Sequence, residues 1–220
     1  GGGPEINRWL SDGGKRAEFV DGLRVTDAET VKVVDKALSG VNHRLVSQIE
    51  ALGGHAVGLT SKRKVIAAEP HVKAAQLGFV GSVAWVQTGI IRRVFTKHGI
   101  PVISPVGVGH NQLYNINADE VACEVAASLR AEKLVLLTNV RGILRQPGDP
   151  DSLISTLSVK DAKMLLQRGT IHEGMIPKVG ACVTALKRGV KKTHIIDAAM
   201  PHAMLLEIFT QEGIGTEIVR

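Results

Sequence analysis

Aromatic residues are scarce in this sequence: two Trp, one Tyr and four Phe among 220 residues. With so few rings, and no basic run interleaved with them, the chain lacks the stacking platform that single-stranded nucleic acid requires, and no nucleic-acid partner is expected. Cysteine is rarer still. Cys123 and Cys182 are too far apart for a CxxC metal site and too few for a disulfide framework. Both fall at apolar positions of helical patterns, where a small buried thiol is expected. No apolar run approaches the roughly 20 residues that cross a bilayer, and the opening GGGPE carries neither the basic nor the apolar stretch of a signal peptide. A cytoplasmic protein without a membrane partner is the expectation. Also missing are HExxH, GxSxG, a Walker A sequence and a GxGxxG following a strand, which removes the motif support for zinc hydrolases, triad hydrolases, P-loop enzymes and dinucleotide-binding domains.

What is present suits a folded globular chain: 44% hydrophobic and 22% charged residues, with 24 Gly and 8 Pro. The formal net charge of +6 favours anionic ligands in general. The densest basic cluster, Ser61-Lys62-Arg63-Lys64, reads as a solvated turn.

Long helical periods alternate with short strand-like runs, the pattern of an α/β fold whose mainly parallel sheet is covered on both faces. A long helix is predicted from an N-cap at Thr26 or Asp27 to about Leu52, with Gly53-Gly54 as its stop and Gly40 as a possible kink. Strands are expected at 55–60, 101–104, 134–138 and 194–196, with a small edge excursion formed by 65–67 and 79–81. Helices are expected at 5–10, 88–98, 117–129, 158–168, 174–188 and 201–209, and a Pro/Gly/Asp loop at 147–151.

Four segments could carry chemistry, each with an ordinary alternative. The glycines at 1–3 precede a helix whose first amides could face an anion, or they form a frayed end. Arg24, between a turn glycine and a helix start, could hold a carboxylate through two parallel hydrogen bonds, or sit on the surface. Asn115, Asn117 and Asp119 surround another helix start, as a cap or as a site. Lys178 stands in the first helical turn of GMIPKV, where the helix dipole disfavours a cation, so an anionic ligand would explain it.

Together and in this order, GGGPEI (1–6), GLRVTD (22–27), NINADEVA (115–122), LLTNVRGIL (136–144) and GMIPKV (174–179) resemble the acetylglutamate kinase family, and the resemblance runs over essentially the whole chain. It implies the amino acid kinase fold, a three-layer α/β sandwich with a mainly parallel central sheet and two lobes: residues 1–130 binding N-acetyl-L-glutamate and dimerising, residues 131–220 binding ATP with Mg²⁺. The implied reaction is γ-phosphoryl transfer to the side-chain carboxylate of acetylglutamate, in arginine biosynthesis. Such chemistry relies on positioning and charge neutralisation.

Carried over position by position, the resemblance gives Gly2 and Gly3 amides for the substrate, Arg24 for its α-carboxylate and Asn115 for a further contact. Lys178 would neutralise charge on the departing phosphates, and Asp119 would orient the catalytic lysines. Asn139, Val140, Arg141, Gly142, Ile143 and Leu144, with Thr170, Ile171 and His172, would contact the nucleotide. The family's Lys-x-Gly-Gly strand, which supplies a second catalytic lysine, is not among the 220 residues, so the N-terminal lobe is expected to be incomplete at its start. Asn139 stands where the family has Asp, Ser61-Lys62-Arg63 replaces a Gly-Lys-Asp turn, and Ala198-Ala199 replaces Gly-Arg. His202, Glu207 and the GIGT ending resemble arginine-inhibited members, which implies L-arginine as a feedback inhibitor and a homodimer or hexamer. Two other readings stay open at this point: a catalytically impaired member that binds arginine, acetylglutamate or a PII-type signalling protein, and a sibling kinase for another acylated amino acid.

Overall fold

The computed structural model describes residues 2–146, 148–171, 174–209 and 213–220. It divides into two units, Gly1–Val121 and Ala122–Arg220.

In the first unit, helix α1 (Gly3–Asp12) carries Pro4 in its first turn, where a missing N–H costs nothing, and buries Ile6 and Leu10. These pack with Val34, Ala37 and Leu38 of helix α2 (Ala28–Ala51) and with Val106. Asp27 starts α2 by accepting the N–H groups of Glu29 and Thr30, at 3.2 and 2.7 Å. The helix continues through Gly40 without interruption. Between α1 and α2, strands β1 (Phe19–Val20) and β2 (Leu23–Arg24) form a hairpin turned by Asp21-Gly22, both at positive φ. That dipeptide suits a tight hairpin turn.

Strand β3 (Ala56–Leu59) pairs in parallel with β6 (Ile100–Ile103). The predicted edge excursion is larger than expected. Strands β4 (Ile66–Pro70), β5 (Gly81–Val86), β7 (Val106–Gly109) and β8 (Gln112–Asn115) form a four-stranded sheet in the order β5-β4-β7-β8, so β4 lies inside it. Helices α3 (Ala74–Leu77) and α4 (Thr88–Phe95) lie in the connections around β5. Ser61–Arg63 is one 3-10 turn, in keeping with its reading as a turn.

The division between the units falls within helix α5 (Ala118–Leu129). In the second unit, β9 (Lys133–Thr138) and β11 (Lys192–Asp197) run parallel over six residue pairs. Strand β12 (Thr216–Val219) pairs antiparallel with β11 and parallel with β10 (Thr156–Ser158), giving the order β10-β12-β11-β9. Parallel pairing is thus present in both units, beside antiparallel pairs. Helix α6 (Val159–Gln167) is capped by the Ser158 hydroxyl, and α7 (Ile176–Lys187) and α8 (Ala203–Phe209) complete the unit. The core centres on Val179, Cys182, Leu186, Ile195 and Ile218, all without solvent exposure. A buried Leu or Ile contributes about 1.5–3 kcal/mol, so this cluster is the main source of the unit's cohesion. Cys123 is buried too. Among the described residues, no helix is long and apolar enough to cross a membrane.

Candidate functional site

The first unit gathers Arg24 and Asn115 around Thr26, which the sequence offers only as a helix-cap candidate; the cap is Asp27. Arg24 ends β2, and only 7% of its surface is exposed. Its Nη2 donates to Asn7 Oδ1 on α1 at 2.7 Å, and its guanidinium lies 4.7 Å from the centre of the Phe19 ring. Its Nη1 is buried and has no hydrogen-bond partner. Burial lowers the basicity of the guanidinium. An enclosed cation costs several kcal/mol unless a counter-charge and hydrogen bonds offset the loss of water, and no ion pair to Arg24 forms among the described residues. The free N–H groups of Nη1 can donate to an anion, and a carboxylate matches the geometry of a guanidinium.

Thr26 has no exposed surface. Its hydroxyl donates to the Arg24 carbonyl at 2.7 Å, and its Oγ1 accepts Asn115 Nδ2 at 3.2 Å. Asn115 therefore belongs to the Arg24 cluster. Asn117 is the helix cap instead: its Oδ1 accepts the amides of Asp119 and Glu120 at the start of α5, at 2.8 and 3.3 Å. Asp119 is partly buried in that first turn. Gly2 occupies the N-cap position of α1 with no side-chain cap on the first-turn amides, so these amides and the helix dipole are available to an anion.

In the second unit, the loop after β9 and the segment before α7 meet at a cavity of about 240 Å³. Of the expected nucleotide residues, Val140, Gly142, Ile143, Leu144, Thr170 and Ile171 line it. Met175 and Gly148, which sequence reasoning missed, line it as well. Asn139 and Arg141 are not part of the wall, and His172 lies outside the described residues. The lining is mostly aliphatic, and the volume falls below the 300–1,000 Å³ typical of drug-sized sites, so it suits a planar ring better than a whole nucleotide. Gly142 adopts φ +151°, and a Cβ there would come within 2.6 Å of Thr216 Oγ1. The neighbouring Ile143 N–H donates to the same oxygen at 2.8 Å. Nothing local in the sequence marks Thr216 as the support of this loop.

The carboxyl ends of the parallel strands β9 and β11 are tied by the bond from Ala198 N–H to Thr138 O, 2.7 Å. This is where open α/β sheets bind ligands. Thr138 Oγ1 also donates to Asn139 Oδ1 at 3.3 Å. Lys178 is the third residue of α7 and partly buried; among the described residues no side chain caps this helix, and its first turn has no acid. Glu207 is buried against His194, with Nδ1 at 2.6 Å from Oε1, and accepts Ile214 N–H at 2.9 Å, whereas His202 is exposed. A groove of about 830 Å³ between α6, α7 and the end of β12 contains none of the expected residues. Its lysines, Lys160, Lys163 and Lys187, are exposed.

Comparison with known proteins gives the family and the fold. The pattern of the amino acid kinase family matches residues 1–197. The acetylglutamate kinase of Syntrophomonas wolfei is 50% identical over 222 residues, covering 100% of this chain and 77% of the relative. That of Synechococcus elongatus is also 50% identical, over 100% of this chain and 73% of its own. Among solved structures, the N-acetylglutamate synthase of Neisseria gonorrhoeae, complexed with coenzyme A and N-acetyl-glutamate, superposes with a TM-score of 0.86 at 27% identity, covering 98% of this chain and 49% of that one. Giardia carbamate kinase shares the fold, with a TM-score of 0.72 at 14% identity over 100% of this chain and 82% of that one.

Proposed function

Because the chain belongs to the acetylglutamate kinases of the amino acid kinase family, we propose that it transfers the γ-phosphoryl group of ATP to the side-chain carboxylate of N-acetyl-L-glutamate, a step of arginine biosynthesis. A carboxylate oxygen attacks the γ-phosphorus, the bond to the β-phosphate oxygen breaks, and an acyl phosphate and ADP result. The observation that carries the reading is the buried Arg24 Nη1 with no partner, which fits a substrate bearing a free α-carboxylate.

In this proposal Arg24 and Asn115 hold the acetylglutamate, and the first-turn amides at Gly2 and Gly3 meet the transferred group. Asp119 serves as the orienting carboxylate. Lys178 stabilises charge that grows on the phosphates in the transition state, a role for which a cation at an uncapped helix start is suited. The cavity of Val140, Gly142, Ile143, Leu144, Thr170 and Ile171 takes the adenine end of ATP, with Asn139, Arg141 and His172 contributing from the same two loops. Residues 1–130 form the acetylglutamate lobe, which also dimerises, and residues 131–220 form the ATP lobe. Among the described residues no group of three His, Cys, Asp or Glu could hold a metal, so the Mg²⁺ proposed here would be carried by the phosphate oxygens of ATP. Cytoplasmic location, assembly as a homodimer or hexamer, and feedback inhibition by L-arginine are part of the same proposal; the family ending at 213–216 supports the last.

The test is ADP formation from Mg-ATP with and without N-acetyl-L-glutamate. Turnover that depends on acetylglutamate supports the reading. Acetylglutamate binding without ADP formation would leave a binding protein in its place.

A further inference from the structure

Three stretches of chain far apart in sequence meet at Thr26. Its backbone N–H donates to Leu77 O at 2.8 Å and its carbonyl accepts Phe79 N–H at 2.7 Å. Gly78, between those two, runs at φ +71° against the Thr26 carbonyl, an approach that leaves no room for a side chain. Phe79 O in turn accepts the Asn115 backbone N–H at 2.9 Å. The main chain of Thr26 is therefore clamped to the 77–79 segment, and that segment is bonded to Asn115.

The hydroxyl completes the arrangement. A Thr hydroxyl has one proton and two lone pairs, and a carbonyl oxygen can only accept. Since Thr26 Oγ–H is committed to the Arg24 carbonyl, only a lone pair is left for Asn115. The Asn115 side chain must then point its nitrogen at Thr26. That bond uses one N–H of the amide, and its Oδ1 and second N–H remain for another group.

We infer that Thr26 is a positioning residue for the carboxylate-bearing substrate: its buried hydroxyl fixes the spacing between Arg24 and Asn115 and selects which face of the Asn115 amide meets the ligand. The inference rests on the assignment of Arg24 and Asn115 to the acetylglutamate site. Thr26 touches no substrate itself; with the hydroxyl gone, the Arg24 carbonyl loses its donor and the Asn115 amide can rotate by half a turn. Substrate binding suffers while the nucleotide loops, which belong to the other unit, do not.

The experiment compares Thr26→Val, Thr26→Ser, Asn115→Ala, Thr26→Val/Asn115→Ala and Arg24→Ala in the full-length protein. Thr26→Val is expected to raise KM for acetylglutamate about tenfold, to leave KM for ATP within about twofold, and Thr26→Ser to restore the wild-type value to within about threefold. The double variant is expected to be no worse than Asn115→Ala alone, because both changes break one device. Where Thr26→Val does not fold, the smaller Thr26→Ala replaces it, with circular dichroism as the check. A KM for acetylglutamate unchanged by loss of the hydroxyl, an equal defect in Thr26→Ser, or effects that multiply in the double variant would each overturn the inference. Arg24→Ala separates this from the site itself. If that variant raises KM and Thr26→Val does not, only the positioning role fails; if Arg24→Ala also leaves KM unchanged, the assignment of the acetylglutamate site fails.

Discussion

Ile143 N–H and Thr216 Oγ1 meet at 2.8 Å although 73 residues separate them. Both residues are buried, so β12 holds the loop that follows β9 in place from behind. Thr216→Val keeps the shape and removes the acceptor, leaving a buried N–H unpaired at a cost of about 1–3 kcal/mol. Thermal unfolding should show the loss, and KM for ATP should rise while KM for acetylglutamate stays put. An unchanged KM for ATP would detach Thr216 from the nucleotide site.

Arg24→Lys preserves charge but replaces a planar fork with a single ammonium, which cannot keep the Asn7 bond and offer two parallel donors to a carboxylate. A loss of about 2 kcal/mol in kcat/KM for acetylglutamate, roughly thirtyfold, is expected. Steady-state kinetics measures it, calorimetric titration with acetylglutamate gives the accompanying loss of affinity, and equal affinity in the Lys variant would rule out bidentate binding.

Lys178→Met retains length and apolar contact while deleting the charge in the first turn of α7. Steady-state kinetics should show kcat reduced by about 10²–10³, the range seen when a transition-state donor is removed. ATP affinity should change little by comparison. A kcat within a few-fold of wild type would remove Lys178 from the chemistry.

Asp27 caps α2 and pairs with Lys15 at 2.8 Å. The Lys15 bond first, then the Thr30 N–H, hold its carboxyl well below the usual carboxylate range. A depressed folded-state pKa means stability present above the unfolded value of about 3.9 and lost as pH falls toward the folded one. The carboxylate is largely exposed, so solvent screens much of the Lys15 contribution. Asp27→Asn should therefore be less stable than wild type at pH 7 by up to about 1 kcal/mol, and the gap should close as pH drops below 4. A gap that stays constant from pH 7 to pH 2 would show that the charge contributes nothing.

Local chemistry made much of this molecule legible. Asp27 and the Gly53-Gly54 stop bracket α2 within a residue of its observed ends, because capping and termination act within a turn. The run at 134–138 is a strand for the same reason: it is continuously apolar and follows a periodic helix. The hairpin of β7 and β8 escaped notice, since the two residues at its turn that take positive φ, His110 and Asn111, are not glycines. In the candidate site, Arg24, Asn115 and the two segments that line the cavity were readable as motifs. Their supports were not. Thr26 takes its importance from Asn115, 89 positions away, and Asn7 from Arg24, 17 away, and pairings of that kind carry no periodic signal.

Sheet order in the second unit has a consequence for how the protein is made. Strand β12 lies between β10 and β11, yet roughly sixty residues separate the end of β10 from its start. At about 5–20 residues per second, β10 waits on the order of 3–12 s on the ribosome for the partner that joins it to the rest of the sheet. Throughout that interval β10 exposes unpaired backbone, as does one flank of β11 once it is made, which invites pairing with other nascent chains. Stalled or prematurely terminated synthesis just short of residue 216 would release a chain with most of its apolar residues and no central strand to close over them, a species for chaperones or proteases to clear.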